Sequence, residues 1–320
     1  MASRSVARSP SRGLAGLTTP RAAAPAAAPS AAESCGKEDR PPLPLPALFL
    51  LMLPAFNYGL ICASVGVLVL PQEAQRMFEA QRSLYLAAML GLTGVSQLIC
   101  PMVGYASDRT RLKMGRRMPY ILVGDAIALV ALGMLYIART KLWGNAYLVA
   151  ILFCILGLNV AYTGFTSLVS DVVPPAQLGF ASGIMGGLTA TGAVGGLLAV
   201  GFFLPLKWAY PMYGAPVLIS MPLVWCAARK YDQEITAQQP ELTSPWKLSD
   251  LRGSYWISPS THGDFFWVFC SRTLYYMAVS VQIYILYYLR DLMHEKWVTE
   301  DAVTCEWLQL RTGRAIRPTS

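Results

Sequence analysis

Asp108 and Arg109, followed after a five-residue spacer by Gly115, Arg116 and Arg117, form the densest charge constellation in this 320-residue sequence. From Arg109 to Arg117, five of nine residues are basic. Guanidinium groups are planar forks that suit carboxylates, and Asp171 is an acid placed to accept them. Glycines at both ends, Gly104 and Gly115, add something that a plain basic loop would not need. The chemistry implied is electrostatic latching rather than catalysis. His262 and His294 have no metal-ligand spacing, and no Gly-x-Ser-x-Gly elbow, phosphate loop or dinucleotide fingerprint occurs. No enzymatic activity, cofactor or metal is expected.

The elements that must position these charges are membrane spans. Hydrophobic residues make up 54% of the chain and charged ones 14%, which excludes an ordinary soluble domain. The net charge of +8 sits mainly in the tail and in alternate loops, so it speaks for orientation rather than nucleic-acid binding. Five of the seven cysteines, Cys62, Cys100, Cys154, Cys226 and Cys270, lie singly in apolar runs and read as small hydrophobes; only Cys35 and Cys305 fall outside. A bilayer core about 30 Å thick takes about 20 helical residues to cross. Seven segments are long enough: 47–70, 84–106, 119–138, 145–168, 181–204, 209–228 and 265–289. The predicted fold is therefore all-α. It divides into a disordered tail (1–46), a six-helix bundle (47–228), a polar loop (229–264), a seventh helix (265–289) and an unstructured end (290–320).

Charge asymmetry orients the spans. Lys and Arg number six in the tail, five in the 2–3 loop and four in the 6–7 loop, against two, two and one in the alternate loops. Basic short loops stay cytoplasmic, so the amino terminus is predicted on that side. Arg4, Arg8, Arg12 and Arg21 in an acid-free, Ser-rich setting also resemble an organelle transit peptide. Plasma membrane and organelle membrane both stay open.

Gly104-Tyr-Ala-Ser-Asp108-Arg109, the spacer, and Gly115-Arg116-Arg117-Met-Pro119-Tyr resemble the signature loop between helices 2 and 3 of the major facilitator superfamily. The long spacer followed by Gly-Arg-Arg-x-Pro is similar to the sucrose–proton and glycoside–cation symporters. Asp171-Val-Val-Pro174-Pro175-Ala-Gln-Leu-Gly179-Phe-Ala-Ser-Gly183 resembles that superfamily's link from helix 4 to helix 5. The resemblance covers about residues 45–290. It implies two inverted three-helix repeats and alternating-access transport of a small solute, with a sugar as the class suggested, coupled to protons and embedded in lipid.

Gly104, Asp108, Arg109, Gly115, Arg116, Arg117 and Asp171 are expected to form a conformational latch, with Gly104 letting helix 2 pack closely on a neighbour. In helix 5, Gly183/Gly187 and Gly192/Gly196 are spaced four apart, so each pair marks a stripe for close backbone approach. Polar groups in spans are costly and tend to face a cavity. Asn57 and Tyr58 in helix 1, Asn159 and Tyr162 in helix 4, and Gln97 in helix 2 are therefore expected at the substrate, although each amide could instead bond a neighbouring helix. In helix 7, Arg272, Tyr275, Tyr276 and Gln282 gather on one side and Leu274, Met277 and Val281 on the other, which predicts one sheltered face and one lipid face. Asp125 in helix 3 reads either as a proton-coupling carboxylate or as the partner of a loop arginine.

Residues beyond 290 carry no eighth span and do not resemble the family's continuation, so a truncated form is expected. Association with another transporter chain, as a non-transporting partner, stays open. A seven-helix receptor matches the span count but should have its amino terminus outside and an Asn-Pro-x-x-Tyr ending on helix 7.

Overall fold

A computed structural model describes residues 42–78, 81–238 and 263–285, together with Tyr255, Pro259 and Tyr288. The tail and the carboxyl-terminal segment predicted from sequence lie outside the described residues, apart from 42–46. Six helices are long and apolar enough to cross a membrane: α1 (Leu45–Met77), α2 (Arg82–Arg109), α3 (Met118–Lys141), α4 (Gly144–Val172), α5 (Pro175–Phe203) and α6 (Leu206–Ala237). A seventh, α7 (Gly263–Ser280), is not among those six. Among the described residues there is no strand, only a bridge between Leu112 and Gly115. The all-α, multi-pass fold is as the sequence predicts.

Most helices outrun their predicted spans. An apolar window marks the segment that suits hydrocarbon, whereas the backbone ladder continues through polar residues beyond it. The consequence is largest in α6: helix continues past residue 228 to Gln238, which corrects the expected loop start and carries Asp232 and Thr236 into the helix. Prolines set the irregularities, because each lacks an N–H and crowds the carbonyl four residues back. In α1 a π-turn at Val65–Val69 precedes Pro71, and α2 breaks at Gln97 and Leu98, ahead of Pro101.

Packing is most extensive between α3 and α4, then between α1 and α5; α2–α4, α1–α6 and α3–α6 follow. Within these five pairs, exchanging α1–α3 with α4–α6 maps α3–α4 onto α1–α6 and α1–α5 onto α2–α4, as two three-helix repeats would give; α1–α2, α4–α6 and α1–α4 also touch. Glycines enable the tightest approaches. A Cβ on Gly157 would lie 2.7 Å from both the Ala128 nitrogen and the Gly124 carbonyl oxygen, and one on Gly196 would lie 2.6 Å from the Leu60 carbonyl oxygen. Gly192 meets the Phe56 carbonyl and Gly59 the Thr189 carbonyl. The two glycine pairs of α5 therefore separate: Gly192 and Gly196 pack on α1, whereas Gly183 and Gly187 have nothing within 4 Å.

The buried apolar residues fall into two clusters. One runs through Leu60, Val65, Met89, Leu132, Cys154 and Val217, the other through Leu48, Ala55, Ile121, Phe165 and Val224. On four helices a buried polar residue lies between the two sets: Asn57 between Ala55 and Leu60, Asp125 between Ile121 and Ala128, Asn159 between Leu158 and Phe165, and Ser220 between Val217 and Val224. These residues form a polar belt halfway through the bundle.

The α7 expectation needs correction. Arg272, Tyr275 and Tyr276 are exposed, and so are Leu274, Met277 and Val281 on the face opposite. Its continuation at Val281–Tyr284 lies beside the π-turn of α1, and among the described residues this leaves neither long face sheltered.

Glycine packing is directly testable. Gly157→Val forces two backbones apart and should cost at least about 1–3 kcal/mol, whereas Gly183→Val enters open space and should leave the melting temperature in detergent nearly unchanged. Equal losses would contradict the packing described.

Candidate functional site

The basic hairpin is an ordered part of the bundle. Gly115 has φ of 104°, a left-handed conformation that favours glycine, and its N–H donates to the Leu112 carbonyl at 2.9 Å. A Cβ at this position would run into the Asp232 carboxylate. That carboxylate accepts the backbone N–H groups of Arg117 and Met118 through Oδ2, both at 3.1 Å. An acid from α6 thus caps the positive amino-terminal end of α3, which has no side-chain cap of its own. Thr236, one turn on, accepts the Arg116 N–H at 3.1 Å.

Arg116 and Arg117, bent back by this turn, converge on Asp171 at the end of α4. Arg116 Nη2 lies 2.6 Å and Arg117 Nε 3.0 Å from Asp171 Oδ2, and all three side chains are about nine-tenths buried. Arg117 also reaches α2, through Asp108 Oδ1 at 2.6 Å and through Ser107 Oγ. Side-chain exposure separates the two acids: Asp108 is 52% exposed and Asp171 10%. A solvated pair is worth about 0–1 kcal/mol, while removing one partner of a buried pair costs about 3–5 kcal/mol. Asp171 dominates. Arg109 lies with its guanidinium 3.9 Å above the Tyr105 ring, one turn back on the same helix.

Gly104 does not do what its spacing suggested. A Cβ there would meet nothing within 4 Å, so it permits no close approach inside this bundle; its carbonyl accepts the Ser107 hydroxyl at 2.9 Å.

In the belt, both amides take the second of their two expected roles. Asn57 Nδ2 donates to Ser220 Oγ on α6 at 2.5 Å, and Asn159 Nδ2 donates to Ser96 Oγ on α2 at 2.9 Å. Both are buried, because a primary amide inside a span must find its partners on neighbouring helices. The aromatic residues differ. Tyr58 and Tyr162 stack across α1 and α4 with centroids 4.0 Å apart, both half-buried, and Phe165 follows at 5.7 Å from Tyr162. The side chain of exposed Gln97 lies near the Tyr58 hydroxyl. These hydroxyls and the Gln97 amide form an accessible polar edge on an aromatic platform. On α7, Tyr275 and Tyr276 make an edge-to-face pair at 5.5 Å, while the Gln282 side chain lies outside the described residues. Asp125 is buried, and it makes no pair with a loop arginine among the described residues.

A second buried ion pair was not anticipated. Arg139 near the end of α3 donates through Nε to Glu73 near the end of α1, with side chains 4% and 0% exposed. Beside it the Tyr147 and Tyr210 hydroxyls bond at 3.1 Å. Arg139 had counted only as a loop charge. The available signal was that Glu73 and Arg139 sit near the same-side ends of two odd-numbered spans.

Removing Asp171 leaves two buried guanidiniums facing each other, so Asp171→Ala should cost about 3–5 kcal/mol. Asp232→Ala exposes two capless N–H groups and should cost about 1–3 kcal/mol. Asp108→Asn should cost less than about 1 kcal/mol. Thermal unfolding in nanodiscs ranks the three, and a dominant loss at Asp108 would contradict the ordering.

Comparison with known proteins places this geometry. No curated protein and no solved structure matches the chain. The model of the Major Facilitator Superfamily matches residues 51–299, well over half of the sequence, from within the first turns of α1 to beyond α7. That superfamily in general carries solutes rather than transforming them, and six membrane-competent helices accord with it. The chain belongs to the Major Facilitator Superfamily, as an integral multi-pass membrane protein of small-solute transport.

Proposed function

We propose that the chain moves a hydroxylated solute of the sugar class by alternating access, coupled to protons, with its amino terminus and the 2–3 hairpin on the cytoplasmic side. The observation that carries this reading is the hairpin itself: Asp108-Arg109, a five-residue spacer and Gly115-Arg116-Arg117-Met118-Pro119 are similar to the sucrose–proton and glycoside–cation symporters. The stacked Tyr58 and Tyr162 support it, because aromatic faces with hydroxyls at their edges suit a ring that is apolar above and hydroxylated around its rim. In this reading Arg272, Tyr275, Tyr276 and Gln282 bring further donors from α7. The hairpin network of Arg116, Arg117, Asp171 and Asp232 keeps one bundle rigid while it rocks.

The chain reconstituted in proteoliposomes should take up radiolabelled sucrose when the outside is acid, and a protonophore should collapse the accumulation. Tyr162→Ala should weaken half-saturation about fivefold to twentyfold, corresponding to about 1–2 kcal/mol of lost contact. Uptake indifferent to the gradient would remove proton coupling. No saturable uptake of sucrose would remove the sugar reading.

A further inference from the structure

We propose that Asp125 is the position at which this bundle takes up and holds a proton, carrying it as a neutral carboxylic acid in the conformation described. The inference rests on the proton coupling proposed above and names its site.

Three observations carry it. Asp125 stands at the level of the polar belt, between Ile121 of one apolar cluster and Ala128 of the other, and is 8% exposed. Its neighbour Gly124 faces the Gly157 carbonyl and the Ala161 backbone, so α3 and α4 touch here without room for a side chain between them. Third, the other buried acids among the described residues are all matched. Asp171 has Arg116 and Arg117, Glu73 has Arg139, and Asp232 has two backbone N–H groups. Asp125 itself has neither an ion pair nor a hydrogen bond among the described residues.

Among the described residues no counter-ion faces Asp125. Arg117, just ahead of α3, and Arg139 within it lie eight and fourteen residues away, about 12 Å and 21 Å along the axis, and each is paired elsewhere. The titratable groups of α4 near the Gly124 contact are Cys154 and Tyr162. On α6, Tyr213 adjoins the Gly214 contact with Leu129, and Cys226, Arg229, Lys230 and Tyr231 lead to Asp232, which caps α3. Arg229 and Lys230 are exposed. An ionised carboxylate without a partner inside a span costs at least about 2.5–3.5 kcal/mol, so the acid keeps its proton until a change of packing lets water reach it. Hydration of the carboxyl then releases the proton, and dehydration requires it back. That cycle is what coupling a proton to a rocking bundle demands.

Infrared spectroscopy of the chain in nanodiscs at neutral pH tests this without any substrate. The wild-type chain should show a protonated-carboxyl C=O band that Asp125→Asn removes and Asp125→Glu restores at a shifted frequency. In proteoliposomes, sucrose uptake by Asp125→Asn should no longer respond to a pH gradient. An identical band in wild type and the Asn variant, or gradient-driven accumulation unchanged in that variant, would overturn the assignment. Should the wild-type chain move no sucrose, the sugar reading falls while the band still decides the state of Asp125.

Discussion

The buried carboxylate of Asp171 is the constraint on which the rest of this structure depends. Two guanidiniums, Arg116 and Arg117, are nearly buried at the end of a membrane bundle, and that is tolerable because both converge on one acid. The convergence in turn fixes the hairpin. Arg117 and Met118 must turn their N–H groups inward, Asp232 must meet them, and Gly115 must adopt a positive φ where no Cβ could fit. Helices α2, α3, α4 and α6 are tied by one cluster of charge-assisted hydrogen bonds.

The opposite end repeats the principle with different residues, as Glu73 and Arg139 join α1 to α3. Between the two ends, attraction comes from backbone approach at Gly124/Gly157 and Gly192/Gly196 and from two amides shared between helices. A unit fastened at both ends and close-packed in the middle is suited to move as one body. In the transport cycle proposed here, rigidity within the bundle is what lets rocking around a fixed site expose that site alternately.

The membrane fold could be read from the sequence because hydrocarbon thickness sets a length that apolar runs either meet or miss. The meeting of Arg116 and Arg117 with Asp171 was legible too, since opposite charges near the ends of neighbouring spans have few other partners. What escaped was everything decided by rotation about a helix axis. Asp232 looked like a loop residue because polarity, not hydrogen bonding, marked the end of α6. Asn57 and Asn159 looked accessible because a sequence does not say whether Ser220 and Ser96 stand opposite them. Gly104 looked like a packing glycine, yet its open side meets nothing here. The aromatic pair Tyr58 and Tyr162 was anticipated as two residues, but their stacking depends on α1 and α4 lying face to face.

The central claim is that the hairpin is an inward-fastened part of the bundle rather than a solvated basic loop. Hydrogen–deuterium exchange at the Arg117 and Met118 amides in nanodiscs tests it most directly. The account predicts protection approaching that of the α3 interior, because both N–H groups are bonded to a buried carboxylate. Exchange as fast as that of the exposed stretch at Arg111–Met114 would contradict it.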